Sequence, residues 1–173
     1  MELTPIMQRY ILHWGEMGAR WGTSRSVAQI HALLYLSPQP LNAEEIAETL
    51  EIARSNVSMS LKELQGWELV QVVHVLGDRR DHFTALKDNW SVLMILVEGR
   101  KKREIDPTLA LLRELAAEAG RDTRTPVEIK ARITGQLSFM ETLATWYEQV
   151  KRIPKPTLVA LMKLGSKVAR FIS

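Results

Sequence analysis

The 173-residue chain is 46% hydrophobic and 25% charged, an ordinary globular composition that argues against disorder and fibrous repeats. It contains no cysteine, which removes disulfides, thiol redox sensing and cysteine-based zinc sites together and fits a reducing cytoplasm. A net charge of +3 and a pI near 9.3 suit a polyanionic partner without specifying one.

Five Lys/Arg stand against eight Asp/Glu over residues 1–70, seven against five over 71–104, and eleven against seven over 105–173. The basic excess therefore begins in the middle of the chain. No apolar run reaches the roughly 18 residues a membrane span requires, and the first residues lack the basic-then-apolar layout of a secretory leader. No membrane partner is expected.

Thr4-Pro5 pairs a capping hydroxyl with a proline suited to the first helical position. The helix it starts places Ile6, Tyr10, Trp14 and Met17 on one face until GARWGT interrupts it. A second helix follows from about Ser24, carrying Val27, Ile30, Leu33 and Leu34 as far as Ser37-Pro38. SPQPLN connects it to a short third helix, where Asn42 and Glu45 form a capping box and Ile46, Ala47 and Leu50 turn inward. After Glu51-Ile52, the spacing of Val57, Leu61 and Leu64 predicts a fourth helix whose outward face holds Ser55, Met59 and Lys62, flanked by Asn56 and Ser58.

LVQVVHV and DHFTAL read as two strands joined by the turn LGDRR, with Gly77-Asp78 supplying turn chemistry and Arg79-Arg80 at the tip. A long helix over residues 87–103 then shows Trp90, Leu93, Met94 and Val97 as its stripe. Asp106-Pro107 reads as N-cap and first helical residue of another helix, carrying Leu109, Leu112 and Leu115 to about Ala119. GRDTRTP is a linker. Beyond it, Ile129, Ile133, Leu137, Met140, Ala144, Tyr147 and Val150 trace a sustained seam, and a last helix follows Pro156.

Two short helices followed by a basic hairpin predict a mainly α fold, a winged helix-turn-helix with a two-stranded β-hairpin wing. Its second helix has the size to enter a major groove, with the hairpin arginines reaching a neighbouring groove. The residues expected at double-stranded DNA are Arg54, Ser55, Asn56, Ser58, Met59 and Lys62 of the helix and Arg79 and Arg80 of the wing. Within that set, Arg54 has the chemistry to pair with guanine or hold a phosphate, Asn56 to contact adenine and Met59 to lie on a thymine methyl, and the sequence assigns none of these bases. The carboxylate pairs Glu44-Glu45 and Asp78-Asp81 are assigned to helix start and turn.

IAETLEIARSNVSMSLKELQGWELV followed by GDRRDHFTAL resembles the winged-helix core of MarR-type regulators. WGTSRSVAQIHALLYLSPQPLNAEEIAETL, with its tryptophan-glycine entry, is similar to the GbsR-like branch of that superfamily. The resemblance covers about residues 21–86 well, and the later helices only in general layout. It implies a homodimeric, cytoplasmic transcriptional regulator, usually a repressor, with a pseudo-palindromic operator and terminal helices that dimerise. On that basis residues 1–104 form the DNA-binding domain with its N-terminal helix, and residues 105–173 a helical dimerisation and effector region.

Two departures stand out. Ala53 occupies the position where a serine often caps the recognition helix, which leaves Ser55 as a substitute cap, and Phe83-Thr84-Ala85-Leu86 replaces the usual leucine-threonine pair. Some GbsR-like regulators respond to choline-type osmoprotectants, so the resemblance implies a small-molecule effector with Trp14, Trp21, Trp90, Trp146 and Tyr147 as candidate contacts. Large aromatics at helical spacing serve equally as core or interface.

No metal or other cofactor is expected. His74 and His82 are the two histidines that the hairpin would set across from each other, and no pair has the i, i+4 spacing of a ligand set. There is no phosphate loop, GxSxG, HExxH or cysteine nucleophile, and Gly15, Gly18 and Gly22 are too irregular for a nucleotide fingerprint, so catalysis is not expected. A second class stays open, motivated by the acidic first 70 residues: a winged-helix module for protein interaction and assembly without sequence-specific DNA binding.

Overall fold

Helix α1 (Pro5–Arg20) begins where expected, with the Thr4 hydroxyl accepting from the Met7 amide at 3.4 Å and Pro5 in the first turn. The computed structural model describes residues 1–164. The face that α1 buries is not the expected one. Ile11, Gly15 and Gly18 turn inward against α2 (Arg25–Leu36), whereas Ile6 and Trp14 are 80% and 40% exposed. A methyl group added at Gly18 would stand 2.4 Å from Cβ of Ala28, and one at Gly15 2.7 Å from Cγ of Gln29. The two helices touch through their glycines, so the seam is carried by missing side chains and not by the large apolar ones.

The Ser24 hydroxyl caps α2 by accepting from the Val27 amide. This helix is the spine of the first unit, with Val27, Ile30, Leu33 and Leu34 almost wholly buried. At its far end the Lys87 ammonium donates to the carbonyls of Leu34, Tyr35 and Ser37, satisfying groups that a helix terminus leaves open.

Asn42 completes the anticipated capping box of α3 (Ala43–Leu50). Its Oδ1 accepts from the amides of Glu44 and Glu45, and the Glu45 carboxylate accepts from the Asn42 amide at 2.8 Å. Helix α4 (Arg54–Gly66) follows a left-handed residue, Glu51, and inserts Val57, Leu61 and Leu64 between α2 and α3.

Three antiparallel strands close this core: β1 (Leu41–Asn42), β2 (Val70–Val73) and β3 (His82–Ala85), in the order β1-β3-β2. The two-residue strand β1 is too short to show a period in sequence, so the expected two-stranded hairpin gains a third strand. Leu41 pairs with Phe83 and Asn42 with His82, which ties the returning wing strand to the start of α3. The register sets Val73, not His74, opposite His82, so the two histidines do not face each other. Phe83 and Ala85 join the buried cluster of Ile30, Leu33, Ile46 and Leu61. This arrangement is a winged helix-turn-helix.

Helix α5 (Asn89–Arg100) is capped by Asp88, whose carboxylate accepts from the Ser91 amide and hydroxyl. Val92, Ile95 and Leu96 pack toward the core, while Leu93 from the expected stripe is exposed. The first compact unit ends at Lys101.

A π-helical turn, Lys101–Ile105, follows α5 directly and leads into α6 (Asp106–Arg121) of the second unit, which begins at Lys102. Asp106 is therefore not a cap. Ile105 is itself helical, and the wider π turn accommodates Pro107, which can neither donate nor tolerate a close carbonyl one turn earlier. The linker is a built turn, with Asp122 accepting from the amides of Arg124 and Thr125 and from the Thr125 hydroxyl, bonds that hold its carboxyl below the usual range. Helix α7 (Val127–Lys151) lies along α6, half-burying Ile133, Leu137, Met140 and Ala144 near the buried Leu109 and Leu112. Arg113 pairs with Glu141 across the two helices at 2.9 Å. A final helix α8 spans Lys155–Leu164. No described helix is long and apolar enough to cross a membrane.

Candidate nucleic-acid interface

Burial of Val57, Ser60, Leu61 and Leu64 fixes the rotation of α4, and its opposite face presents Arg54, Ser55, Ser58, Met59 and Lys62 to solvent. Met59 is 66% exposed, a high value for a large apolar side chain in a helix. The cap position is Ala53, with no side-chain bond to the first amides. Ser55 does not take over that role. It sits inside the first turn, beyond the extended residue from which a hydroxyl reaches the open amides, and it stays on the exposed face.

Asn56 departs from its expected position at a base edge. Its amide donates to the Ser26 hydroxyl at 2.9 Å, and its Oδ1 accepts from the Ser60 hydroxyl at 3.4 Å. The side chain therefore ties α4 to α2, with its donor engaged inside the protein.

The wing turns at Gly77, where φ is +86° and the Asp78 amide donates to the Val75 carbonyl. Asp78 then grips Arg80. Its carboxylate accepts from Nε at 3.0 Å and from a terminal nitrogen at 2.5 Å, and its Oδ1 also accepts from the Arg80 amide. These bonds hold the Asp78 carboxyl well below the usual carboxylate range and raise the guanidinium further above its own. His82, buried behind the turn, lies with Nδ1 3.0 Å from the Arg80 carbonyl and Nε2 3.5 Å from Asp78. Arg79 is exposed at the tip and makes no hydrogen bond or ion pair among the described residues.

The sequence reading left Glu44 as a helix-start residue, but the folded chain gives it a second task. One carboxylate oxygen pairs with Arg54 at 2.9 Å and the other with Arg80 at 3.1 Å. Residues 44, 54 and 80 belong to three elements and share no linear pattern, so sequence spacing offers no signal for this bridge. A cleft of about 360 Å³ opens between α4 and the hairpin, walled by Arg54, Ser58 and Lys62 on one side and Arg80, Asp81 and Phe83 on the other.

The candidate effector aromatics fall in both units. Trp14 has Tyr10 and His13 as ring neighbours at 5.8 and 6.2 Å. Trp21 ends α1, more than half exposed, and its carbonyl accepts from Arg100. Trp90 is half-buried in the first turn of α5, and no ring pair joins Trp14, Trp21 and Trp90 among the described residues. Trp146 and Tyr147 belong to α7 in the second unit.

Residues 21–81 match the sequence model of the MarR family. Among solved structures, the chain is similar to the crystal structure of a transcriptional regulator at 17% identity and a TM-score of 0.55, over 84% of this chain and 95% of that one. That likeness is one of fold. A Staphylococcus aureus MepR–DNA complex is 17% identical, with a TM-score of 0.38 over 64% of this chain and 95% of that one. YusO from Bacillus subtilis is 21% identical, with a TM-score of 0.35 over 77% and 84% of the two chains. No curated protein matches the sequence.

Proposed function

We propose that the chain is a DNA-binding transcriptional regulator of the MarR family, within its GbsR-like branch, and that it acts as a homodimeric repressor. The observation that carries this reading is the convergence of the exposed α4 face and the wing arginines on one side of the first unit, joined through Glu44. The start of α4 enters the major groove with Arg54, Ser55, Ser58, Met59 and Lys62, and Arg79 reaches the adjacent backbone or minor groove. The family match over the same segment supports it.

Dimerisation is assigned to the second unit. Helix α7 has one apolar seam toward α6 and a second stripe, Phe139, Leu143 and Trp146, exposed along its other side. A twofold dimer presents two recognition helices to DNA, and the site that matches that symmetry is a pseudo-palindrome with half-sites about one DNA turn apart, roughly 34 Å. The reading extends to release by a small cationic effector held on aromatic faces, for which Trp14 and Trp21 supply accessible rings in the first unit.

Selection of bound fragments from a random duplex pool tests the function. Enrichment of an imperfect palindrome with half-sites one turn apart is expected. Enrichment of no sequence, from a pool that the protein binds, would remove the regulator reading.

A further inference from the structure

Three features outside the proposed contacts invite a role. The bare stripe of α7 belongs to the dimer reading already given. The exposed Leu76 at the wing tip is a single apolar side chain with nothing to identify its partner. Glu44 is different, because its geometry poses a problem that the proposed function leaves unsolved.

An exposed carboxylate within a cationic face weakens attraction for phosphate. The helix start accounts for an acid at this position but not for the bridge, since the two ion pairs are solvent-exposed, with the side chains of Arg54, Arg80 and Glu44 exposed by 68, 54 and 41%. Pairs of that kind contribute little to stability. Asp78 already holds Arg80 in the wing, so Glu44 is not needed to form that turn. What Glu44 alone does is connect the wing to α4, since one carboxylate reaches both guanidinium groups.

We propose that Glu44 is a positioning and selectivity residue of the interface. It presets the separation of Arg54 and Arg80 for a matched duplex and suppresses their capture by phosphate on unmatched DNA. This rests on the DNA-binding reading above. On random DNA, each arginine must leave Glu44 to reach a phosphate, and the carboxylate left behind repels the backbone. On a matched site the contacts made in the preset geometry outweigh that repulsion, so the penalty falls mainly on wrong sequences.

Binding of wild type, Glu44→Gln, Glu44→Asp and Glu63→Gln to the selected palindrome and to a random duplex of equal length, across a salt series, tests the idea. Glu63 is an exposed acid on α4, the helix that carries Arg54, with no ion pair among the described residues, so it controls for the loss of one negative charge. Glu44→Gln should raise random-duplex affinity about tenfold at low salt and steepen its salt slope by about one for each arginine freed. It should lower the palindrome-to-random ratio at least fivefold. Glu44→Asp keeps the charge but is too short to span both arginines, so it should lose palindrome affinity without gaining random affinity. Glu63→Gln should leave the ratio within twofold.

A wild type that discriminates, with Glu44→Gln keeping the same ratio or Glu63→Gln lowering it equally, would overturn this inference and leave the DNA-binding reading intact. A wild type that binds no duplex would overturn both. Should Glu44→Gln fail to fold, Glu44→Asp still decides, because an unchanged ratio in that variant contradicts positioning.

Discussion

Arg79 and Arg80 are adjacent in sequence and differ in circumstance. Arg79 has no partner among the described residues, whereas Arg80 is held by Asp78 and Glu44. Arg79→Ala should therefore leave the thermal midpoint unchanged while weakening duplex binding and reducing the salt slope by about one. Arg80→Ala should weaken binding and also loosen the wing, visible as faster amide exchange at residues 77–82. Asn56→Ala should cost stability, on the order of 1 kcal/mol, through its lost bond to Ser26, and leave base preference intact. Urea denaturation and selection with the variant measure the two effects separately.

His31 adds a pH dependence. Burial, reinforced by the charge of Lys87, lowers its pKa from 6.5 to about 4, and its Nε2 has no hydrogen-bond partner among the described residues. A histidine whose folded pKa is depressed binds fewer protons than the unfolded chain between those values, so its contribution falls as pH drops from 6.5 toward 4. The full loss is on the order of 3 kcal/mol. His31→Phe should flatten the decline of the thermal midpoint across that window. An identical decline in the variant would place the acid sensitivity elsewhere.

At the scale of elements, much was readable where a local chemical rule operates. The Thr4 and Asn42 caps, the capping box to Glu45, the Val57-Leu61-Leu64 seam and the Gly77 turn each depend on residues a few positions apart. The face of α1 was assigned by its large apolar residues, but helices that approach closely do so through small ones, and Gly15 and Gly18 took the seam. Gly18→Ala should accordingly destabilise the protein by about 1–3 kcal/mol through overpacking against Ala28, against the usual preference for alanine in helices. Denaturant midpoints check this, and a stabilised variant would mean that α1 does not pack as described. Strand β1 is legible only in three dimensions, because two residues show no period and the pairing with β3 defines it.

The candidate site was legible in outline and not in detail. Helical period predicts which residues of α4 face outward, and it placed Arg54, Ser55, Ser58, Met59 and Lys62 correctly. It could not reveal that Asn56 bonds to Ser26 or that Glu44 spans two arginines, because both contacts join residues far apart in sequence.

Across the molecule, the two units divide the proposed labour between DNA contact and assembly. The exposed stripe on α7 makes the second part testable: Phe139→Asp with Trp146→Asp should yield a folded monomer by sedimentation, whereas an unchanged dimer would move the interface elsewhere. The more direct test concerns DNA. Fluorescence anisotropy of a duplex carrying the selected palindrome, titrated with wild type and with Arg79→Ala/Arg80→Ala at 50 and 200 mM salt, addresses it in one measurement. Tight wild-type binding that weakens steeply with salt, and a folded double variant with reduced affinity and a shallower salt slope, are the expected results. A folded wild type without measurable affinity at 50 mM salt, or a double variant that binds as well as wild type, would contradict DNA recognition through α4 and the wing.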